Sequence, residues 1–197
     1  KLITKIIFKF FNGFFSIGTA NKEYYLNNGI SEEKIFMLPY SIDNKRFTKF
    51  SKLSDTEKKN YKKSFGINNN SPIVLYASKL TKRKNILDLI QSAIILKEQK
   101  VNFNLLIIGS GELENEIQEL VIKHKLENII MLGFVNQSKM PIIFGISDIF
   151  VLTSDNEPWG LVVNEAMCAK LPIILAKNIG CSYDLLRNDQ NGFLINS

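Results

Sequence analysis

Two glutamates separated by seven residues are the part of this sequence best suited to chemistry. Glu157 lies in a turn that contains Pro158, and Glu165 follows within a segment of helical character. The pattern predicts a helix that begins near residues 158–160, because proline suits the first helical position, where its missing N–H has no acceptor anyway. The sequence therefore predicts a helix N-terminus with a carboxylate on either side.

The first turn of such a helix can bind an anion. The N–H groups of Gly160, Leu161 and Val162 have no acceptor within the helix, and the helix dipole adds positive potential. Together they suit a diphosphate group. Carboxylates are poor partners for phosphate, so Glu157 and Glu165 are expected to accept hydrogen bonds from hydroxyl groups. A ligand with both a diphosphate and hydroxyl groups is a nucleotide sugar.

A basic segment comes directly after the predicted strand Ile73–Ala77. Residues 78–85 contain four basic side chains, among them Lys79 and Lys84, at the carboxyl end of a strand, where α/β sheets bind their ligands. Positive charge there would suit an anionic ligand. The alternative is a basic helix start without a ligand, although positive charge is unfavourable at a helix N-terminus.

The elements that must position these residues alternate in type. Strands are predicted over six segments: Ile73–Ala77, Phe103–Ile108, Ile129–Leu132, Asp148–Thr153, Leu171–Leu175 and Gly192–Ile195. Helices are predicted over Lys84–Gln99, Glu112–Lys125, Pro141–Gly145 and the segment that carries Glu165. This alternation indicates an α/β fold with a doubly wound parallel sheet.

The sequence EPWGLVVNEAM, residues 157–167, resembles the E-x7-E region of the retaining glycosyltransferases of family four, which have the two-domain GT-B fold. In that family the first Glu contacts the donor sugar, the next amides hold the diphosphate and the second Glu holds the ribose. The resemblance implies these roles for Glu157, for the amides of residues 160–162 and for Glu165. The alternative is a pair of solvated glutamates at helix ends.

The sequence SKLTKRKN, residues 78–85, resembles the G-R-L-x-x-x-K-G segment of the same family, whose basic residues contact the diphosphate. Lys84 matches the family's Lys. Lys79 stands where the family has Arg, so it supplies charge without the planar fork of a guanidinium. Ser78 replaces the first Gly, and Lys170 occupies a position where the family usually has a small residue.

The loop after the third predicted strand of the sheet is implied to lie near the nucleotide base. This resemblance makes Phe134 and Val135 candidate base contacts, with a plain core role for Phe134 as the alternative. The sequence Gly109-Ser110-Gly111 joins a strand to a helix, but the third glycine of a dinucleotide-binding motif is absent. A structural role in a tight turn is therefore predicted for these glycines.

Domain organisation also follows from the resemblance. Residues 1–45 resemble the tail of an acceptor-side N-terminal domain and its linker, and residues 46–197 resemble the Rossmann-like domain that binds the nucleotide sugar. The opening segment KLITKIIFKFFNGFF is predicted to be an amphipathic helix that packs on protein or on a membrane. Its apolar run is interrupted by lysines and is shorter than the roughly 20 residues needed to span a bilayer.

Charge and composition limit the partners. The net charge is +6 and 45% of residues are hydrophobic, as expected for a soluble globular protein. The basic run at residues 45–63 is interpreted as a solvated face, with an anionic membrane surface as the alternative. No nucleic-acid motif accompanies it, so no nucleic-acid partner is predicted.

The two cysteines and one histidine lack metal-ligand spacing, so neither a metal site nor a cofactor is predicted.

The sequence therefore predicts a metal-independent glycosyltransferase of the cytoplasm, or of the inner face of its membrane. It would move a sugar from a nucleotide-diphosphate sugar to a glycan or a lipid-linked saccharide, and the resemblance implies retention of configuration. One alternative is a non-catalytic sugar-nucleotide-binding or assembly module. Another is a Rossmann dehydrogenase that binds NAD at residues 109–111.

Overall fold

A computed structural model of the protein describes residues 2–50, 52–67 and 70–196. The strands, numbered in chain order, are β1 (Phe14–Ser16), β2 (Ile35–Met37), β3 (Ile73–Ala77), β4 (Asn104–Ile108), β5 (Ile129–Gly133), β6 (Ile149–Leu152), β7 (Ile173–Ala176) and β8 (Gly192–Ile195). The helices are α1 (Leu2–Phe8), α2 (Thr19–Asn27), α3 (Asn44–Phe50), α4 (Asp55–Ser64), α5 (Ile86–Glu98), α6 (Glu114–Lys123), α7 (Met140–Ile146), α8 (Leu161–Cys168) and α9 (Ser182–Leu185).

Six of these strands form one parallel sheet in the order β5-β4-β3-β6-β7-β8. The chain runs from β3 outward to β5, returns to β6 on the other side of β3, and then runs outward to β8. The strand order therefore reverses between β3 and β6, and open α/β sheets bind their ligands at the carboxyl ends of the strands at such a point. This topology confirms the predicted doubly wound parallel sheet.

The central strands of the sheet are largely buried on both faces, as their apolar sequences predict. Successive side chains of β3 point to opposite faces, so that Leu75 joins one core and Tyr76 the other. The Leu75 core includes buried side chains of α3, α7 and α8. The Tyr76 core includes buried side chains of α5 and α6. Every residue of β4 is buried, which is typical of a central parallel strand.

Three helices begin later than predicted: α5, α6, which starts at Glu114 instead of Glu112, and α8. Positive φ angles explain the corrections for α5 and α8. Lys84 belongs to a short 3-10 turn, Lys82–Lys84, and α5 starts only at Ile86 because the intervening Asn85 has a φ of 48°. The helix predicted to begin near residues 158–160 starts at Leu161. The residue before it, Gly160, has a φ of 92°, a left-handed conformation that glycine adopts without steric cost.

The N-terminal segment forms a separate two-stranded parallel sheet, β1-β2. The opening helix is shorter than predicted, because it ends at Phe8 and Phe14 lies in β1. The ring of Phe14 packs 5.0 Å from that of Phe8 and 5.1 Å from that of Tyr25. The boundary between domains near residue 45 stays a prediction. In the described part of the chain, no helix has the length and apolarity needed to cross a membrane.

A specific contact joins this segment to the main sheet. The first residue of α2, Thr19, donates from its backbone N–H to both carboxylate oxygens of Asp184 in α9, at 3.2 and 3.0 Å. Beside it, Gly18 packs so closely on Trp159 that a Cβ added to this glycine would lie 2.3 Å from the indole ring. The missing side chain of Gly18 is therefore part of the contact.

Candidate functional site

The loops that follow β3 and β6 at the carboxyl edge of the sheet are joined by hydrogen bonds. The two loops are residues 78–85 after β3 and residues 153–160 after β6. The hydroxyl of Thr153 donates to the carbonyl oxygens of Lys84 and Asn85, at 2.9 and 3.0 Å. The side-chain amide of Asn85 donates to Asp155 at 2.6 Å. These hydrogen bonds hold the two loops together, and the two loops form the rim of the candidate site.

Lys84 and Glu157 meet in this rim as an ion pair. The lysine is buried, with 7% of its surface exposed, and the side chain of the glutamate is 20% exposed. A buried ammonium is stable only with a partner, and Glu157 supplies it. The structure thus brings together two of the three residues predicted to be catalytic, although they lie 73 positions apart in the chain.

The loop that carries Glu157 is also fixed from its other side, by the loop after β7. The N–H of Glu157 donates to Asn178 O at 3.3 Å, and that of Gly180 donates to Glu157 O at 2.8 Å. A Cβ on Gly180 would lie 2.1 Å from Pro158 O, so only glycine allows this approach. Glu157 is therefore held in place by its backbone on one side and by Lys84 on the other.

The start of α8 offers the hydrogen-bond donors that the sequence predicts. Within the described residues, the N–H groups of Gly160, Leu161 and Val162 have no hydrogen-bond acceptor, whereas that of Val163 donates to Gly160 O at 2.9 Å. A Cβ on Gly160 would lie 3.4 Å from Cγ of Glu157. The first of these free N–H groups therefore lies close to the ion pair of Lys84 and Glu157. Free donors at a helix N-terminus next to a lysine form an environment suited to phosphate.

Glu165 lies one turn further along α8 and is half-buried. Burial raises the pKa of its carboxyl from 4.5 to about 7, and the positive charge of Arg46 in α3 opposes that rise. No hydrogen bond or ion pair joins Glu165 to Lys84 or Glu157 in the residues that the structure describes. Glu165 therefore lies on the same helix as the free N–H groups of residues 160–162, but on the side of that helix that is near α3.

The remaining predicted residues lie outside the ion-paired cluster. Lys79 is exposed at the end of β3. Phe134 follows the positive-φ Gly133 and is 81% exposed, so its alternative role as a core residue is wrong. Val135 is half-buried against the core that contains Leu75. The exposed ring of Phe134 is available to stack on a flat ligand.

The glycines of the Gly109-Ser110-Gly111 turn have a packing role. A Cβ on Gly109 would lie 1.9 Å from Ser78 O, and a Cβ on Gly111 would lie 2.3 Å from Leu80 O. The turn and the loop after β3 also share a hydrogen bond, from Leu80 N to Ser110 O at 3.0 Å. The prediction of a tight, closely packed turn agrees with this geometry.

Sequence reasoning missed several residues that build the rim. Thr153 and Asp155 are ordinary polar residues after a strand, and Asn85 gave no sign of its left-handed conformation. In the family pattern G-R-L-x-x-x-K-G, Asn85 stands at the position of the last Gly. This position was the available signal for a left-handed conformation, because Asn is among the few residues other than Gly that tolerate positive φ. The hydroxyl of Ser154 is buried and lacks a partner among the described residues.

Comparisons with known proteins agree with this fold. The sequence profile of the glycosyl transferases group 1 matches residues 57–197. An uncharacterized glycosyltransferase, MJ1607 of Methanocaldococcus jannaschii, is 30% identical over 147 residues, which are 73% of this chain and 36% of that protein. The capsular polysaccharide biosynthesis glycosyltransferase CapM of Staphylococcus aureus is 30% identical over 173 residues, 86% of this chain and 44% of CapM.

Solved structures show the same architecture. Anabaena HepE in complex with UDP and glucose aligns with a TM-score of 0.76 at 22% identity, over 94% of this chain and 49% of that chain. The lipopolysaccharide glycosyltransferase WaaG aligns with a TM-score of 0.75 at 19% identity, over 93% and 49%. The chain thus spans about half, or less, of the length of these proteins. By its profile match and its relatives, the chain belongs to the family of glycosyl transferases group 1.

Proposed function

We propose that this chain forms the donor-binding part of a glycosyltransferase that moves a sugar from a nucleoside-diphosphate sugar to an acceptor. The observation that carries the proposal is the meeting of three features at the switch point of the sheet. These are the buried Lys84, its partner Glu157 and the free amides at the start of α8. A cation and oriented N–H groups beside a carboxylate suit a ligand that contains both a diphosphate and a sugar.

In this proposal the diphosphate lies against the amides of residues 160–162 and near Lys84. The bond between the sugar's anomeric carbon and the diphosphate oxygen breaks. The oxygen of an acceptor hydroxyl forms the new bond through an oxocarbenium-like state, and its proton passes to the departing diphosphate. Lys84 stabilises the charge that develops on the departing diphosphate, with Lys79 as a second cation. Because Thr153 and Glu157 already hold Lys84 in place, little reorganisation is needed during the reaction.

The other predicted contacts extend the donor site along α8 and β5. Glu157 would accept hydrogen bonds from the donor sugar and Glu165 from the ribose, while Phe134 and Val135 would contact the base. The 81% exposure of Phe134 supports a stacking role. Catalysis would need no metal ion, because the cations and the helix amides neutralise the leaving group. Retention of configuration is part of this proposal and rests on the family resemblance.

The acceptor is proposed to be a glycan or a lipid-linked saccharide. Two relatives support this class by their names. CapM acts in capsular polysaccharide biosynthesis, and an Escherichia coli relative is an α-1,3-galactosyltransferase whose name specifies a GlcNAc-diphosphoundecaprenol substrate. The second relative is 29% identical over 181 residues. A lipid-linked acceptor would place the protein in the cytoplasm at the inner face of a membrane.

Binding of nucleoside diphosphates tests the donor site. UDP, GDP and ADP, with their glucose conjugates, are titrated by calorimetry against the wild-type chain, Lys84→Met and Lys82→Met. We expect at least one diphosphate to bind, with an affinity reduced about tenfold or more in Lys84→Met because a charge-assisted contact is lost. Lys82→Met removes an exposed lysine from the same loop and should bind as the wild type does.

A double variant separates binding from folding. Lys84→Met alone leaves the carboxylate of Glu157 without its partner and costs stability, whereas Lys84→Met combined with Glu157→Gln removes both charges. If the double variant is folded and still binds diphosphates as the wild type does, the site assignment is wrong. A chain that binds NAD and no nucleoside diphosphate would indicate the dehydrogenase. Binding without transfer or donor hydrolysis by the whole protein would indicate the non-catalytic module.

A further inference from the structure

A cavity with a cationic lining lies beside α4, away from the proposed donor site. It has a volume of about 460 Å³, and Asn70 and the buried Ile67 border it together with five residues of the helix. These two residues lead into β3 at its amino end. The proposed donor site lies at the carboxyl ends of β3 and β6, so the two sites are at opposite edges of the parallel sheet.

The residues of α4 that line the cavity form one stripe along the helix. They have the spacing i, i+3, i+4, i+7 and i+8, and they are Asp55, Lys58, Lys59, Lys62 and Lys63. In a helix that packs on a core, apolar residues occupy such positions. In α4 four of the five are lysines, so a cationic side of the helix borders the cavity.

The positive charge of this stripe has little compensation. In the part of the chain that the structure describes, the one ion pair made by these four lysines joins Lys62 to Asp148, at 3.9 Å. Lys58 stands four residues before Lys62, and Lys59 stands four before Lys63, a spacing at which like charges repel. Lys58 and Lys62 are also half-buried, so water screens their charges less. An anion in the cavity would reduce this repulsion.

The helix dipole does not account for all four lysines. Cations suit the last turn of a helix, which explains Lys62 and Lys63. Lys58 and Lys59 lie in the first half of α4, where the dipole does not favour a cation. A neighbouring cavity also contains lysines, but there Lys97 donates to two carbonyl oxygens at the end of α6, at 2.8 and 2.7 Å. That lysine has a structural role, which the lysines of α4 lack.

We propose that the cavity beside α4 binds a ligand that carries two or more phosphate groups. Ammonium groups bind phosphate through charge-assisted hydrogen bonds, and four of them match more charge than one phosphate supplies. The volume suits a small molecule or a lipid headgroup. Among the described residues between positions 41 and 94, no large hydrophobic side chain is exposed. The surface therefore offers no ring on which a nucleic-acid base could stack.

Binding of phosphorylated probes to the 197-residue chain tests this proposal. Inositol hexakisphosphate, inositol trisphosphate, tripolyphosphate and inorganic phosphate are titrated by calorimetry at one ionic strength, because salt screens such contacts. Phosphatidylcholine vesicles with and without phosphatidylinositol bisphosphate are sedimented with the protein. A single-stranded oligonucleotide is titrated in parallel. Amide NMR shifts show whether each bound probe lies at α4.

We expect the multiply phosphorylated probes to bind, with an affinity reduced about tenfold or more in Lys59→Gln/Lys63→Gln, because two charge-assisted contacts are lost. The matched control, Lys100→Gln/Lys123→Gln, removes the same charge from exposed lysines at the ends of α5 and α6 and should stay within about threefold of the wild type. Circular dichroism melting curves check that both double variants are folded.

The comparison of vesicles with the free headgroup identifies the source of the phosphates. Tighter binding to vesicles that contain phosphatidylinositol bisphosphate than to inositol trisphosphate indicates a lipid headgroup, and the reverse order indicates a soluble ligand. Either order supports the site when it depends on Lys59 and Lys63. UDP affinity should be equal in the wild type and both double variants, because the cavity and the donor site lie at opposite edges of the sheet.

Four results would overturn the proposal. The first is that no multiply phosphorylated probe binds, free or in vesicles. The second is that both double variants weaken binding equally, which would indicate net charge rather than a site. The third is that inorganic phosphate binds as tightly as the larger probes, and the fourth is that the oligonucleotide binds more tightly than all of them. Failure of the donor proposal is distinguishable, because it appears as loss of UDP binding, and these titrations contain no UDP.

Discussion

Lys84 is fixed at two points, and this explains how a long and flexible side chain can act as a preorganised cation. Its carbonyl oxygen accepts hydrogen bonds from Tyr76 and Thr153, at 3.3 and 2.9 Å. Its ammonium group pairs with Glu157. A lysine held in this way loses little further conformational freedom when it binds a phosphate. The exposed Lys79 has no such restraint, so we expect it to contribute less than Lys84 to donor binding.

Glu165 should make stability depend on pH. Its pKa is about 7 in the folded protein and 4.5 in the reference state, so the folded state binds more protons between these values. Stability is therefore lost as the pH rises through this window. Glu165→Gln cannot ionise, so we expect its melting temperature to exceed that of the wild type increasingly from pH 5 to pH 8. Calorimetric melting curves at each pH measure the difference.

The control for this experiment is Glu119→Gln, which changes an exposed glutamate of α6. Its difference from the wild type should stay nearly constant over the same range. A difference for Glu165→Gln that is constant, or that shrinks as the pH rises, would contradict the raised pKa and its assigned cause, burial of the carboxyl.

At the scale of elements, the site depends on two close approaches between loops: the loop after β4 packs on the loop after β3, and the loop after β7 packs on the loop after β6. Three backbone contacts rely on a missing side chain: Gly109 against Ser78, Gly111 against Leu80, and Gly180 against Pro158. These contacts fix the loop that carries Lys84 and the loop that carries Glu157. The geometry of the ion pair is thus a consequence of the packing of loops on one edge of the sheet.

Gly109→Ala tests this packing. The added Cβ would lie 1.9 Å from Ser78 O, and the φ of 134° is also unfavourable for alanine. Gly29→Ala is the matched control, because Gly29 also has a positive φ, 88°, but no atom lies within 4 Å of its added Cβ. We expect urea unfolding to show that Gly109→Ala loses about 1–3 kcal/mol more than the control, since backbone must move to relieve the clash.

UDP affinity should fall in Gly109→Ala as well, because the displaced loop contains Lys84. Equal losses of stability in the two glycine variants would mean that backbone conformation, rather than the close approach of the loops, is what requires glycine at position 109.

At the scale of the whole molecule, one carboxylate links the N-terminal segment to the main sheet. Gly18 precedes α2 and has no side chain with which to cap it. Asp184, which lies 165 positions away, instead accepts hydrogen bonds from the N–H and the hydroxyl of Thr19. A negative charge at a helix N-terminus also interacts favourably with the helix dipole. This contact helps to form the cavity that α2 lines together with the loops after β6 and β7.

Asp184→Ala should loosen the segment without unfolding the sheet. A lost helix cap costs about 1 kcal/mol, so amides of α2 should exchange with solvent about fivefold faster while those of β3 and β4 keep their protection. Hydrogen exchange followed by mass spectrometry measures both regions. Asp184→Asn retains one oxygen acceptor and should fall between Asp184→Ala and the wild type. Unchanged exchange in α2 would show that Asp184 does not hold the segment.

Much of the fold was predictable because its signals are local. Apolar runs such as Leu105–Ile108 identify strands from neighbouring residues alone, and the order of strands and helices follows from them. Helix starts were less predictable. Asn85 and Gly160 adopt positive φ angles directly before their helices, and the spacing of apolar residues that predicts a helix does not show at which residue it begins.

By itself, the sequence determined the alternation of strands and helices and the turn before α8 with its free N–H groups. It also determined the residue types that could hold a diphosphate and hydroxyl groups. Only the tertiary structure decided that Lys84 pairs with Glu157, that Asp184 caps α2, and that tyrosines from both ends of the chain line one cavity. These contacts join residues from 73 to 165 positions apart. Their partners are selected by the strand order and the packing of loops, which no local spacing of residues encodes.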